Sequence, residues 1–131
     1  MSEEEAFDVE RFIYVKLPAS LQPLERGELF EDPIDDELQA QGLGHVSGGG
    51  SLLAAPEPDG TRRIEFCGLD IEVEDRDKAL DLLRAALVRL EAPERTELHY
   101  TAEGQRLLDQ LVRGTWQVGL PRTFLHPGFD V

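Results

Sequence analysis

Residues 11–17 (Arg-Phe-Ile-Tyr-Val-Lys-Leu) alternate, with Ile13, Val15 and Leu17 on one side and Phe12, Tyr14 and Lys16 on the other. That β-branched and aromatic run stops at Pro18 and predicts a first strand. Leu21, Leu24, Phe30, Ile34 and Leu38 then recur at roughly helical intervals, punctuated by Pro23 and Pro33. Pro33 suits a first helical turn, with Asp32 as N-cap and Asp35, Asp36 and Glu37 at the positive end, so a short helix is predicted over 33–41.

Residues 44–55 carry three consecutive glycines and read as a weak edge strand, closed by a turn at 56–60. The strand expected over 61–74 changes phase. Ile64 and Phe66 are apolar at even positions, whereas Leu69, Ile71 and Val73 are apolar at odd ones. A β-bulge at Gly68 is the expected remedy, because a one-residue slip turns every following side chain to the other face. Asp75 begins the most regular helix, with Ala79, Leu80, Leu83, Ala86, Leu87 and Leu90 on one stripe, ending at Ala92-Pro93. A short strand over 96–101 follows, and Leu107, Leu108, Leu111 and Val112 predict a last helix over 102–113. The tail from 114 to 131 holds Trp116, Phe124 and Phe129 and is expected to pack on the domain.

The element order β, α, β, β, α, β predicts an α+β domain of the ferredoxin-like βαββαβ type with an added C-terminal helix and tail. Its helices cover one sheet face. Residues 1–10 read as an acidic leader, loose or extending an edge, and 11–131 as a single domain. At 131 residues with 40% hydrophobic composition, the chain can build one real core.

Charge narrows the partners. A net charge of −14, from 27 acidic and 13 basic side chains, repels phosphate backbones and anionic lipid. Nucleic acid and membranes are therefore not expected as partners. A basic protein, or a second copy of the chain in a homo-oligomer, is; simple solubility is the other meaning of the charge. The one cysteine, Cys67, permits no intramolecular disulfide, and the acidic start has no signal-peptide pattern, so a cytoplasmic location is expected.

Few residues carry candidate chemistry. Ser47, Gly48, Gly49, Gly50 and Ser51 form a run whose backbone N–H groups could converge on an anion. No helix, P-loop lysine or GxGxxG follows it, and the same glycines suit an edge strand approached by another backbone. His45 and Cys67 complete this candidate ligand site. Cys67 with His45 or His99 invites a nucleophile reading. In the expected sheet, however, β1 separates Cys67 from His99 by roughly 10 Å, and a lone strand cysteine usually serves as a small hydrophobe. No residue is assigned a catalytic role, and no cofactor is expected. Nor is a metal, since His45, His99 and His126 lack ligand spacing, and Asp32, Asp35, Asp36 and Glu37 lack an EF-hand loop. Phe12, Tyr14, Lys16, Glu65, Asp70 and Glu72 would line the sheet face away from the helices and form a candidate partner surface, unless the tail covers it.

The motifs Glu31-Asp32-Pro33-Ile34-Asp35, Gly42-Leu43-Gly44, Val46-Ser47-Gly48-Gly49-Gly50 and Ile64-Glu65-Phe66-Cys67-Gly68-Leu69-Asp70-Ile71, followed by a leucine-rich helix and Ala92-Pro93, resemble a group of small uncharacterised bacterial cytosolic proteins. The resemblance spans about 11–101 and implies a shared fold and a bacterial cytosolic origin, with no activity attached. The functional expectation is a non-enzymatic interaction module, immunity-type or regulatory, that turns its acidic surface to a basic partner. The alternative is a small-molecule-binding domain using residues 47–51 and the open sheet face.

Overall fold

The computed structural model describes residues 8–19, 21, 23–53, 55–62 and 64–122. Six strands form one antiparallel sheet: β1 Phe12–Leu17, β2 Gly44–Leu53, β3 Ile64–Val73, β4 Glu97–Ala102, β5 Gln105–Val112 and β6 Thr115–Pro121. Their spatial order is β2-β3-β1-β4-β5-β6, so β1 is central although it comes first in the chain. Helices α1 Pro23–Arg26 and α2 Asp32–Ala40, joined by a π turn Gly27–Glu31, connect β1 to β2, and α3 Arg76–Arg89 connects β3 to β4.

This architecture corrects the ferredoxin-like βαββαβ expectation. The chain is mostly sheet, and the predicted C-terminal helix over 102–113 does not exist. Its residues form β5, and Trp116 belongs to β6. Two tight hairpins replace the helix and the part of the tail up to Pro121. Glu103 and Gly104 (φ 52° and 78°), then Arg113 and Gly114 (φ 53° and 78°), take the paired left-handed conformations of two-residue turns that match strand twist. Phe124 and Phe129 lie outside the described residues, as do positions 1–7 of the leader.

The helical segment also differs from the expectation, running on from Pro23 without a break at Asp32. Pro33 lacks an N–H and its ring crowds the carbonyl of Leu29, four residues back. The π turn over Gly27–Glu31 widens the helix where that carbonyl lies. In α3 the Asp75 carboxylate accepts from the Lys78 N–H at 3.1 Å, an N-cap.

One sheet face carries the main core. Ile13, Val15, Leu17, Leu69, Ile71, Leu98 and Tyr100 pack against Phe30, Ile34, Leu38, Leu80, Leu83 and Leu87. The other face holds a second, smaller cluster of Phe12 and Tyr14 with Val9 and Phe66. Phe66 therefore belongs with its even-numbered neighbours, and β3 does not slip at Gly68, which pairs in register with Lys16 and Gly50. The irregularity lies between Ile64 and Phe66, opposite the step from Leu52 to Leu53. Gly68 serves a different purpose. A Cβ there would collide with the Tyr14 hydroxyl and ring, so the bare backbone makes room for the ring.

The hairpin strands are fastened through buried polar groups. Asp109, fully buried, accepts from Tyr100 Oη at 2.7 Å, the Gly119 N–H at 2.9 Å and Arg84 Nε at 2.8 Å. It thereby ties β4, β5, β6 and α3 together, and burial beside this carboxylate pushes the Tyr100 phenol up to about 12. The Trp116 indole donates to the Arg84 carbonyl at 3.0 Å. Glu10, in the 3-10 turn Val9–Arg11, accepts from the Glu103 and Gly104 N–H groups and from Arg76. No described helix is long and apolar enough to cross a membrane.

Candidate functional site

Residues paired across a strand ladder share a face, and the register sorts the sequence candidates into two sets. Gly49, Ser51 and Cys67 face the helices. Cys67 is fully buried, and its thiol lies 3.3 Å from the Leu21 carbonyl and 3.4 Å from that of Ala19, with Ser51 Oγ at 3.8 Å. Arg26 reaches the same spot, donating to Ser51 Oγ at 3.4 Å and lying 3.6 Å from Glu31. Among the described residues no base stands beside the thiol. His45 pairs with Glu72, far along β2 from the Ser51–Cys67 pair and on the opposite face. His99 is beyond β1 and also on that opposite face, its ring 5.7 Å from Tyr14.

On the face away from the helices the remaining candidates come together. Three rows cross β2, β3 and β1: His45–Glu72–Phe12, Gly48–Asp70–Tyr14 and Gly50–Gly68–Lys16. Gly48 and Gly50 contribute no side chains, so they leave a shallow floor beside exposed His45, while the Tyr14 ring lies over Gly68. Ser47 sits at the bulge between Val46 and Gly48 and donates to the Asp70 carbonyl at 3.3 Å. Lys16 Nζ lies 4.6 Å above the Phe66 ring, a cation–π contact. Phe12 and Tyr14 are 4% and 5% exposed, which removes them from the free surface and makes them the floor's wall. The Glu65 side chain lies outside the described residues.

Asp70 is the unusual group of this face. Burial raises its carboxyl pKa from the usual value, and no cation lies within ion-pair distance of it among the described residues. It adds its charge to the burial that raises the Tyr14 phenol. A groove of about 420 Å³ at the start of β2 is lined by Asp35, His45 and Glu74, but Asp35 already accepts from the Val46 N–H and from Gln39. A second groove of about 330 Å³ shares Glu74 and adds Asp8, Glu10, Asp75 and Asp77, with Arg11 and Arg76 answering part of that charge.

Further along the same face His99 is completely buried beside Glu97, with Nε2 2.8 Å from Oε1, and Gln110 donates to the other carboxylate oxygen. Burial lowers the imidazole pKa against the opposing pull of Glu97. The described residues contain no group of His, Cys, Asp and Glu that could hold a metal ion.

Sequence reasoning treated the glycine run and the acidic face as separate candidates; the register merges half of the first with the second. It missed Asp109 altogether, since a lone aspartate in an apparent helix reads as solvated. In comparisons with known proteins, the chain matches no family model, no curated protein and no solved structure.

Proposed function

We propose that this chain is a non-enzymatic interaction module that engages a basic partner, one arginine or lysine side chain of which sits over Asp70 and Glu72. The observation that carries this reading is Asp70, a partly buried carboxylate with no cation at ion-pair distance among the described residues, beside a glycine floor and a tyrosine wall. Desolvating a carboxylate without a partner costs stability, and a docking ammonium or guanidinium group offsets that cost. The net charge of −14 supports the sign of the partner and speeds encounter. The small-molecule reading of residues 47–51 draws less support. Gly48 and Gly50 face one way and Gly49 and Ser51 the other, so the run presents no single concave surface.

The test is fluorescence anisotropy with a labelled arginine- and lysine-rich peptide, at low and high salt, against an acidic control peptide. Asp70→Asn is compared with Glu91→Gln and Glu103→Gln, which remove the same charge from exposed turns. A charge-assisted contact is worth about 1.5–3 kcal/mol, so Asp70→Asn weakens binding by roughly 10- to 100-fold. Equal losses for all three variants would mean that only the overall charge is being read, and the Asp70 site would be abandoned.

A further inference from the structure

The sheet has two outer edges, and they are guarded differently. On β6, Gly119 adopts φ +74° where the β5–β6 register shifts, and Pro121 lacks a donor, so that edge is interrupted twice. On β2, the Asp35 carboxylate takes the Val46 N–H at 2.8 Å, standing in for a strand partner at that point. Beyond it, from Ser47 to Leu53, the edge has no proline, no positive φ and no charged side chain. Ser47, Gly49, Gly50, Ser51 and Leu53 are exposed, and β3 is the only strand paired with β2 among the described residues.

We infer that this segment of β2 is a homodimer edge, where a second copy of the chain adds its own β2 antiparallel. The choice of occupant rests on charge. No Asp, Glu, Lys or Arg occurs between Glu37 and Glu57, in a chain whose residues are 31% charged. Two copies of net charge −14 repel wherever carboxylates meet, so they approach best through a strand segment that carries none of its own. A basic partner is instead drawn to Asp70 and Glu72. Antiparallel pairing of one strand with itself is isologous, and a centre near Gly49 and Gly50 brings no side chains of bulk into opposition. Exposed apolar residues accompany it. Leu53 ends the strand, and Leu24 and Leu29 stand on the helical segment that Arg26 fastens to Ser51; these are three of the five large hydrophobic residues exposed among those described. The pairing does not depend on the basic-partner reading.

Sedimentation equilibrium of the full chain across a wide concentration range tests this. The expected mass is twice 14.7 kDa, with association strengthened by salt because screening relieves repulsion. Salt weakens basic-peptide binding, so the two ideas fail separately. A Cβ at Gly50 meets nothing within 4 Å, so Gly50→Glu is expected to fold as a monomer, but it places two carboxylates near the symmetry axis, about one strand spacing of 5 Å apart. The variant is expected to be monomeric, whereas Gln117→Glu on β6 leaves the dimer. A wild-type mass that stays at 14.7 kDa throughout, or a dimer that survives Gly50→Glu, overturns the inference. Should Gly50→Glu fail to fold by circular dichroism, amide exchange of the wild type decides. Protection over 48–53 must then rise with concentration, and its failure to do so refutes the pairing.

Discussion

Replacing Asp109 with asparagine keeps the shape of the side chain but removes the charge that holds the C-terminal hairpins to α3. Tyr100 and the Gly119 N–H share one carboxylate oxygen, and Arg84 takes the other through Nε at 2.8 Å and a second nitrogen at 2.7 Å. An amide can still accept on the first side. On the second, its NH2 donors face guanidinium donors, leaving a partly buried cation whose remaining carboxylate, Asp81, is largely exposed. Breaking one partner out of a buried pair costs about 3–5 kcal/mol. Arg84 keeps 21% side-chain exposure, and that places the expectation at the lower end, about 3 kcal/mol. Urea unfolding followed by circular dichroism reads this directly. With a slope of about 1.5–2 kcal/mol per molar, the midpoint falls by roughly 1.5–2 M. The double variant Arg84→Met with Asp109→Leu removes both charges together and is expected to be less destabilised than the sum of its single changes. A loss under about 1 kcal/mol for Asp109→Asn, or strict additivity in the cycle, refutes the account of Asp109 as a charge-dependent tie.

Acid sensitivity follows from His99. Its folded pKa lies below the usual 6.5, so the unfolded chain binds the proton first and stability falls as pH drops below that value. His99→Gln retains a donor toward Glu97 without titrating, and is expected to lose less stability than wild type between neutral pH and about one unit below 6.5; equal losses refute the assignment. Gly68→Ala drives a methyl into the Tyr14 ring and is expected to cost about 2–3 kcal/mol, largely recovered when combined with Tyr14→Leu. Asp70→Asn is expected to raise the unfolding midpoint at neutral pH while weakening peptide binding, because the charged form is the one that burial penalises.

β1, β3, β4 and α3 were legible because each shows its own period, and Asp75 caps α3 as its position suggested. Residues 105–112 were not. Leu107, Leu108, Leu111 and Val112 fit a helical stripe, but as a strand Leu107 and Leu111 face α3 while Leu108 lies beside His99 on the other side. The available signal was the pair of X-Gly dipeptides, Glu103-Gly104 and Arg113-Gly114, one strand length apart. The misplaced bulge has a single cause. Pattern reading assumes one buried face, and here Phe12, Tyr14 and Phe66 pack on the second, so Phe66 needs no slip at Gly68 and the phase change falls instead between Phe66 and Ile64, which packs on the main core. The face shared by Asp70, Glu72 and the glycines needed the β2–β3 register, which no local pattern supplies.

The placement of β1 also bears on how the chain is made. Ile13 pairs with Ile71 on one side and Tyr100 on the other, so the central strand emerges from the ribosome before either neighbour exists. The β4–β5–β6 meander, with its two-residue turns, closes through contacts of short sequence range and can form quickly once translated. β1 must instead wait until β4 is synthesised to satisfy its second edge. Throughout that interval its apolar side chains and unpaired backbone are open to chaperones or to other nascent chains. Yield in cells should therefore respond to the rate of elongation and to chaperone supply more than the equilibrium stability alone predicts.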